Sequence, residues 1–169
     1  SRNRYWGERD DQAYRPALCT STLLRGPELC LLVDAPIADA GAMEFELSRR
    51  TGLQLSDVTD VFLTHGHGDH VTGLGVFADA RWWAGEAVAE SLNAAGNLPK
   101  VVQTVHDGQV AAGIEAIPTP GHTLDHHSLR FECEGVSVVV AGDAAMTRDF
   151  WRGRQGFHNS VDFEQVART

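Results

Sequence analysis

The 169-residue sequence predicts an α/β protein in which helices cover packed sheets. Three observations carry that prediction. Short β-branched runs recur along the chain, amphipathic helical spacing appears between them, and several of the strand candidates end on residues able to bind a metal. The length suits one domain with a real core and is short for two, so residues 1–169 are read as a single domain.

After a polar opening over Ser1 to Tyr14, Ser21 to Arg25 and Glu28 to Asp34 read as a hairpin joined at Gly26-Pro27. Ala40, Met43 and Leu47 then recur at helical spacing, with Arg49 and Arg50 suited to the negative end of a helix dipole and Gly52 to the residue that ends it; the helix is predicted over Ala38 to Thr51. Val58 to Thr64 reads as a strand that delivers the chain into His65-Gly66-His67-Gly68-Asp69-His70, expected in a loop. Ala80 to Ala84 is a further strand whose Trp82 and Trp83 face opposite ways, one into the core and one under a loop. Glu86 to Asn93 reads as a short helix, and Val101 to Val105 as a strand before an Asp107-Gly108 turn. Gly113 to Thr119 is a strand ending at Pro120-Gly121-His122. His127 to Glu134 alternates Leu129, Phe131 and Cys133 inward, and Glu134-Gly135 turns the chain. Val136 to Ala141 is almost wholly apolar, as a strand buried on both faces is, and it ends at Gly142-Asp143. Asn159 to Thr169 reads as the start of a helix capped by Ser160 or Asp162.

Hydrophobic residues at 43% and charged residues at 22% are ordinary globular usage and exclude a disordered or fibrous chain. A formal charge of −9 disfavours a phosphate-tracking surface, so nucleic acid is not the expected partner. No apolar run approaches the roughly 20 residues that cross a bilayer, and a cytoplasmic protein with no membrane segment is expected. Cys19, Cys30 and Cys133 form no CxxC pair, which argues against a disulfide framework or a Cys-rich zinc site; Cys30 and Cys133 are expected as buried thiols. The chain opens on Ser1 rather than Met, as a trimmed or incomplete chain would.

His65, His67, Asp69 and His70 crowd four good ligands into a short span, and Gly66 and Gly68 free the backbone to bring them together. At this chain's own His and Asp abundance the pattern arises by accident in roughly one such sequence in a thousand. The HxHxDH run at 65 to 70, the later Pro-Gly-His ending at His122 and the Gly-Asp ending at Asp143 resemble the metallo-β-lactamase-fold superfamily, and Leu32-Val33-Asp34 resembles its early strand ending in Asp.

The resemblance implies an αββα sandwich of two packed mixed sheets with outer helices. It implies that His65, His67 and His122 bind a first metal, that Asp69 and His70 bind a second, and that Asp143 bridges them. Asp34 and His126 would brace the ligands from behind. The all-nitrogen-and-oxygen set suits two zinc ions and admits iron or manganese. An Asp rather than a Cys at position 143 resembles the glyoxalase-II, lactonase and nuclease branches and disfavours an antibiotic-resistance role. The expected activity is a hydrolase using a metal-bound hydroxide on a small anionic ester, thioester or lactone, with Asp69 both ligand and proton acceptor.

The family's last histidine for the second metal, in a late Gly-His element, has no counterpart here, so the chain is expected to lack its C-terminal portion. His158 is the stand-in candidate. Arg148, Arg152 and Arg154, interleaved with Phe150, Trp151 and Phe157, read either as the lining of a pocket for an anionic small molecule or as a solvated loop. His106 and His127 read as structural. Three other functions compete: a mononuclear iron oxygenase resembling the persulfide dioxygenases and using His65, His122 and Asp143; a ribonuclease, from the likeness of Gly73-Leu74-Gly75-Val76-Phe77 to small RNA-cleaving members; and a non-catalytic metal-binding module. The oligomeric state is open, a homodimer included.

Overall fold

A computed structural model describes residues 19–169; the polar opening read at Ser1 to Tyr14 lies outside them. The first sheet contains β1 (Thr22–Gly26), β2 (Leu29–Val33), β3 (Asp60–Leu63), β4 (Arg81–Ala84) and β5 (Gln103–Thr104) in that order. β1 and β2 are antiparallel and the rest run parallel, as crossovers through α1 (Ala40–Thr51), α2 (Gly68–Val71) and α3 (Glu86–Ala95) require. The second sheet, β6 (Gln109–Ala111), β7 (Ile114–Pro118), β8 (His127–Cys133) and β9 (Val136–Val140), is antiparallel throughout rather than mixed. The β8–β9 hairpin closes through Glu134 and Gly135, both at positive φ, the handedness that a two-residue hairpin loop demands. Two short helices, α4 (Arg148–Gly153) and α5 (Phe163–Arg168), follow; among the described residues no helix is long and apolar enough to cross a membrane.

Side-chain alternation splits the first sheet's apolar residues between two cores. Leu32, Val61, Leu63 and Trp82 pack under α1 and α3 with Met43, Leu47 and Val88. Leu31, Val33 and Phe62 point the other way and meet Ile114, Ala116 and Leu129 of the second sheet. Burial on both faces is why β2 and β3 read as near-continuous apolar runs. α1 begins where Asp39 accepts from the Ala42 N–H at 2.7 Å and stops at Gly52, whose φ of 74° no β-carbon resists.

Four expectations change. Half of the histidine motif is helical, because the His70 and Val71 amides both reach back to the His67 carbonyl and close a turn. Trp83 does not sit under a loop: it is half-buried against the inter-sheet core and donates from Nε1 to Asp60 Oδ1 at 2.8 Å, while Trp82 fills the helix-side core. β9 is not buried on both faces; it is the edge strand of the described sheet, and Val136 and Val139 are exposed. Cys133 is exposed as well, because it pairs with Val136 at the tip of the hairpin, past the reach of the core.

Candidate metal centre

The parallel strands of the first sheet carry Asp34, Thr64 and His65 to one rim of the sandwich, the usual place for a site in sheets of this kind. The second sheet adds its own strand ends there, His122 beyond β7 and Asp143 beyond β9, and the rims are tied by the His127 amide donating to the Thr64 carbonyl at 2.8 Å.

Proton logic fixes how the first imidazoles point. The buried Thr64 Oγ1 lies 2.9 Å from Asp34 Oδ2, 3.1 Å from Asp34 Oδ1 and 3.0 Å from His65 Nδ1. An ionised carboxylate only accepts, so the Thr64 hydroxyl donates to Asp34 and its oxygen accepts from His65 Nδ1–H. That leaves the lone pair of His65 Nε2 facing the site. It stands 3.0 Å from His67 Nδ1, which stands 3.0 Å from His122 Nε2. One N–H proton can satisfy one of these two contacts; a cation satisfies all three nitrogens. Ligands about 2.05 Å from a tetrahedral zinc are about 3.3 Å apart, so the two contacts to His67 match edges of such a site drawn slightly inward, and the three donor atoms all lie within 4.8 Å of one another.

A second group adjoins the first. His70 Nδ1 donates to Asp34 Oδ2 at 2.9 Å, and the Thr64 amide donates to Asp34 Oδ1 at 2.9 Å. Asp34 itself is buried at a φ of 62°, a strained setting for a residue other than glycine and one held by these bonds. His70 Nε2 is buried with no hydrogen-bond partner, and Asp143 Oδ2 lies 3.5 Å from it and 3.3 Å from His122 Nε2, between the two groups. Gly142 makes this approach; at its φ of 53° a β-carbon would come within 2.9 Å of Thr64 Cγ2.

The charges point the same way. Burial is the strongest single influence on His70 and opposes its protonation, yet the nearby carboxylates of Asp143 and Asp34 together prevail and push it up to about 12. Burial likewise works to raise Asp143, and His70 holds it below the usual carboxylate range. Burial pushes His65 and His122 down; His70 and other imidazoles add to the fall at His65, while Asp143 partly offsets it at His122. Bare nitrogens beside a place that calls for positive charge fit a divalent cation better than protons.

His126 is fully buried behind His65, with ring centroids 5.1 Å apart. Its Nδ1 lies 2.8 Å from Thr119 Oγ1, and its Nε2 has no hydrogen-bond partner. Burial first, then His122, lowers it to about 3, so it stays neutral. Asp69 is half-buried on α2, near enough for its charge to act on His122, but its carboxylate joins none of the ligand groups among the described residues. His158 is exposed, packs on Phe157 and joins none of the ligand groups among the described residues. Arg148, Arg152 and Arg154 are exposed too; Arg152 and Arg154 line a cavity of about 860 Å³ that holds none of the ligand candidates. The cavity that does reach the cluster, about 570 Å³, is lined by His70, Asp143, Met146, Phe150, Phe157 and Cys19.

Two participants were passed over in the sequence. Thr64 carries no motif signal except its place between strand and histidines. Cys19 gathers with Asp34 and His70, their candidate ligand atoms all within 4.8 Å of one another. Only the hairpin register, Thr22 opposite Val33, reveals that the chain entering β1 flanks the chain leaving β2.

The sequence model of the metallo-beta-lactamase superfamily matches residues 14–166. A hydroxyacylglutathione hydrolase of Methylobacterium nodulans is 34% identical over 143 residues, covering 79% of this chain and 52% of its own length. An N-acyl homoserine lactonase of a Bacillus species is 29% identical over 124 residues, covering 68% and 47%. Among solved structures, the hydrolase AbOPH of the beta lactamase superfamily superposes with a TM-score of 0.71 at 23% identity, over 89% of this chain and 65% of that one. The chain spans about half the length of the curated relatives it matches. With the matched segment running through every strand that feeds the cluster, the chain belongs to the metallo-beta-lactamase superfamily.

Proposed function

We propose that this chain is the metal-binding part of a hydrolase that cleaves a small anionic ester, thioester or lactone, with zinc as its cation. His65, His67 and His122 hold one metal, Asp69 and His70 serve a second, and Asp143 stands between them. The observation that carries the reading is the convergence of His65 Nε2, His67 Nδ1 and His122 Nε2 at 3.0 Å spacings beside a carboxylate oxygen only 3.3 Å from His122. Divalent cations there supply Lewis-acid polarisation and bring the ionisation of water toward neutral pH.

The chain's own residues do the rest. Asp34, through Thr64 and directly, fixes the tautomers of His65 and His70 so that each offers Nε2 to the site. Neutral His126 keeps the back of the cluster dry without adding charge. Asp69, half-buried on α2 with its charge acting on His122, serves in this reading as the proton acceptor as well. Phe150, Phe157 and Met146 give the adjoining cavity an apolar wall for the acyl portion. Relatives named for hydroxyacylglutathione and acyl-homoserine lactone chemistry support this substrate class.

The test strips the full chain with chelator, restores zinc, iron or manganese, and offers a hydroxyacylglutathione and an N-acyl homoserine lactone. Turnover that needs metal and falls about 100-fold or more in Asp69→Ala, with the first metal retained, is expected. One iron per chain with oxygen uptake in place of hydrolysis overturns the assignment, and undiminished turnover in Asp69→Ala removes that residue's role.

A further inference from the structure

If His122 Nε2 serves the first metal, as the proposed function requires, its Nδ1 has to carry the ring proton, and a buried N–H needs an acceptor. His65 has the Thr64 hydroxyl for that purpose, 3.0 Å from its Nδ1. No motif in the sequence names a counterpart for His122.

The structure supplies one from the other end of the chain. His122 is fully buried, its Nε2 faces His67 Nδ1 at 3.0 Å, and the partner of its Nδ1 among the described residues is Ser160 Oγ at 3.5 Å. That distance is long for a hydrogen bond, but the backbone clamps the two residues side by side. The Val161 amide donates to the Gly121 and His122 carbonyls at 3.1 and 3.2 Å, and the Asp162 amide donates to the Gly121 carbonyl at 3.0 Å. At the far end of α5, Thr169 Oγ1 donates to the Pro120 carbonyl at 2.9 Å. Gly121 admits this close seating: its φ is 136°, and a β-carbon there would stand 2.6 Å from the Val166 nitrogen.

Ser160 is buried, and its hydroxyl is not spent on the helix. Of the two residues able to cap α5, Asp162 does so, its Oδ1 accepting from the Gln165 amide at 2.8 Å. The 3.0 Å between His122 Nε2 and His67 Nδ1 is also shorter than the roughly 3.3 Å between ligands of a tetrahedral zinc, and Ser160 flanks the His122 ring from its other nitrogen.

We propose that Ser160 is the positioning residue of His122. With Nε2 committed to the metal, the ring settles back against Ser160, Nδ1–H donates to Ser160 Oγ, and the tautomer and aim of the ligand are fixed as Thr64 fixes those of His65.

The test uses the full chain with nitrogen-15 in its histidines. In the zinc-loaded wild type the His122 Nδ1 proton is expected as a slowly exchanging resonance with an Overhauser contact to the Ser160 β-protons. In Ser160→Ala it loses its protection from exchange, and zinc binds about 10- to 100-fold more weakly. Asp162→Ala is the matched control, because it removes the cap of α5 and leaves Ser160 in place. It should unfold at lower urea yet keep the wild-type zinc affinity and the protected proton. Wild-type affinity or an unchanged proton in Ser160→Ala, or an equal loss in Asp162→Ala, overturns the positioning role alone; a wild-type chain that binds no zinc overturns the metal-centre reading with it. Should Ser160→Ala fail to fold, the zinc-loaded wild type decides: a His122 ring proton without an Overhauser contact to Ser160 overturns the role.

Discussion

Thr64→Val separates bracing of the metal site from ordinary strand stability. The replacement keeps the branched shape and removes Oγ1, which takes away the hydroxyl's bond to Asp34 at 2.9 Å and the acceptor for His65 Nδ1 at 3.0 Å, both fully buried. A bond to a charged acceptor contributes about 1.5–3 kcal/mol, and stranding a buried N–H costs about 1–3 kcal/mol. The Thr64 amide keeps its own bond to Asp34, so the metal-free protein is expected to lose about 3–5 kcal/mol rather than the whole brace. With the His65 tautomer no longer held, metal affinity falls about 10- to 100-fold. Thr59→Val is the matched control. Thr59 also donates to a buried aspartate, Asp60 Oδ2 at 2.8 Å, and accepts from the Cys30 amide at 3.0 Å, but at the opposite end of β3. It should lose stability and bind metal as the wild type does. Urea unfolding in chelator, paired with competitive titration against a chromogenic zinc indicator, reads both quantities. Wild-type affinity in Thr64→Val, or an equal loss in Thr59→Val, would refute the bracing role.

Three further outcomes follow from the geometry. In Gly142→Ala, a β-carbon 2.9 Å from Thr64 Cγ2 at a φ of 53° costs about 1–3 kcal/mol and displaces Asp143, so metal content drops toward one equivalent by elemental analysis. Acid destabilises the metal-free chain: an unfolded imidazole takes its proton near pH 6.5, but folded His126 is lowered to about 3, so stability present above pH 6.5 is lost at about 1.4 kcal/mol per pH unit on the way down. His65 and His122 shift in the same direction and steepen the loss, whereas His70, raised to about 12, stays protonated in both states there and adds no slope. A urea midpoint that is flat from pH 7 to about 4 contradicts this. Restoring zinc to a free concentration 100 times its dissociation constant should add about 2.7 kcal/mol, seen as a rise in melting temperature that chelator reverses.

Much of this was legible in the sequence because the signals were local. Alternation and β-branching located β1 to β4 and β7 to β9, capping residues bounded α1, and the spacing of His65, His67 and His70 announced a cluster that His122 and Asp143 join in space. What escaped was set by neighbours distant in sequence. The valines of β9 read as a buried strand because composition reports apolarity, while burial depends on what packs alongside. Cys133 alternates correctly with Leu129 but runs past the facing sheet. Composition leaves Arg152 and Arg154 open between pocket lining and a solvated loop, and it cannot foretell that they line a cavity apart from the ligand candidates. Thr64 and Cys19 matter through partners that only the β1–β2 and β2–β3 registers bring near.

Elemental analysis of the chelator-stripped, zinc-restored full chain beside His65→Ala and His122→Ala asks most directly whether these side chains hold a cation. The predicted result is two zinc ions per wild-type chain, with at least one lost in each variant. Zinc that fails to stay on the wild-type chain, or that stays undiminished on both variants, contradicts the metal centre.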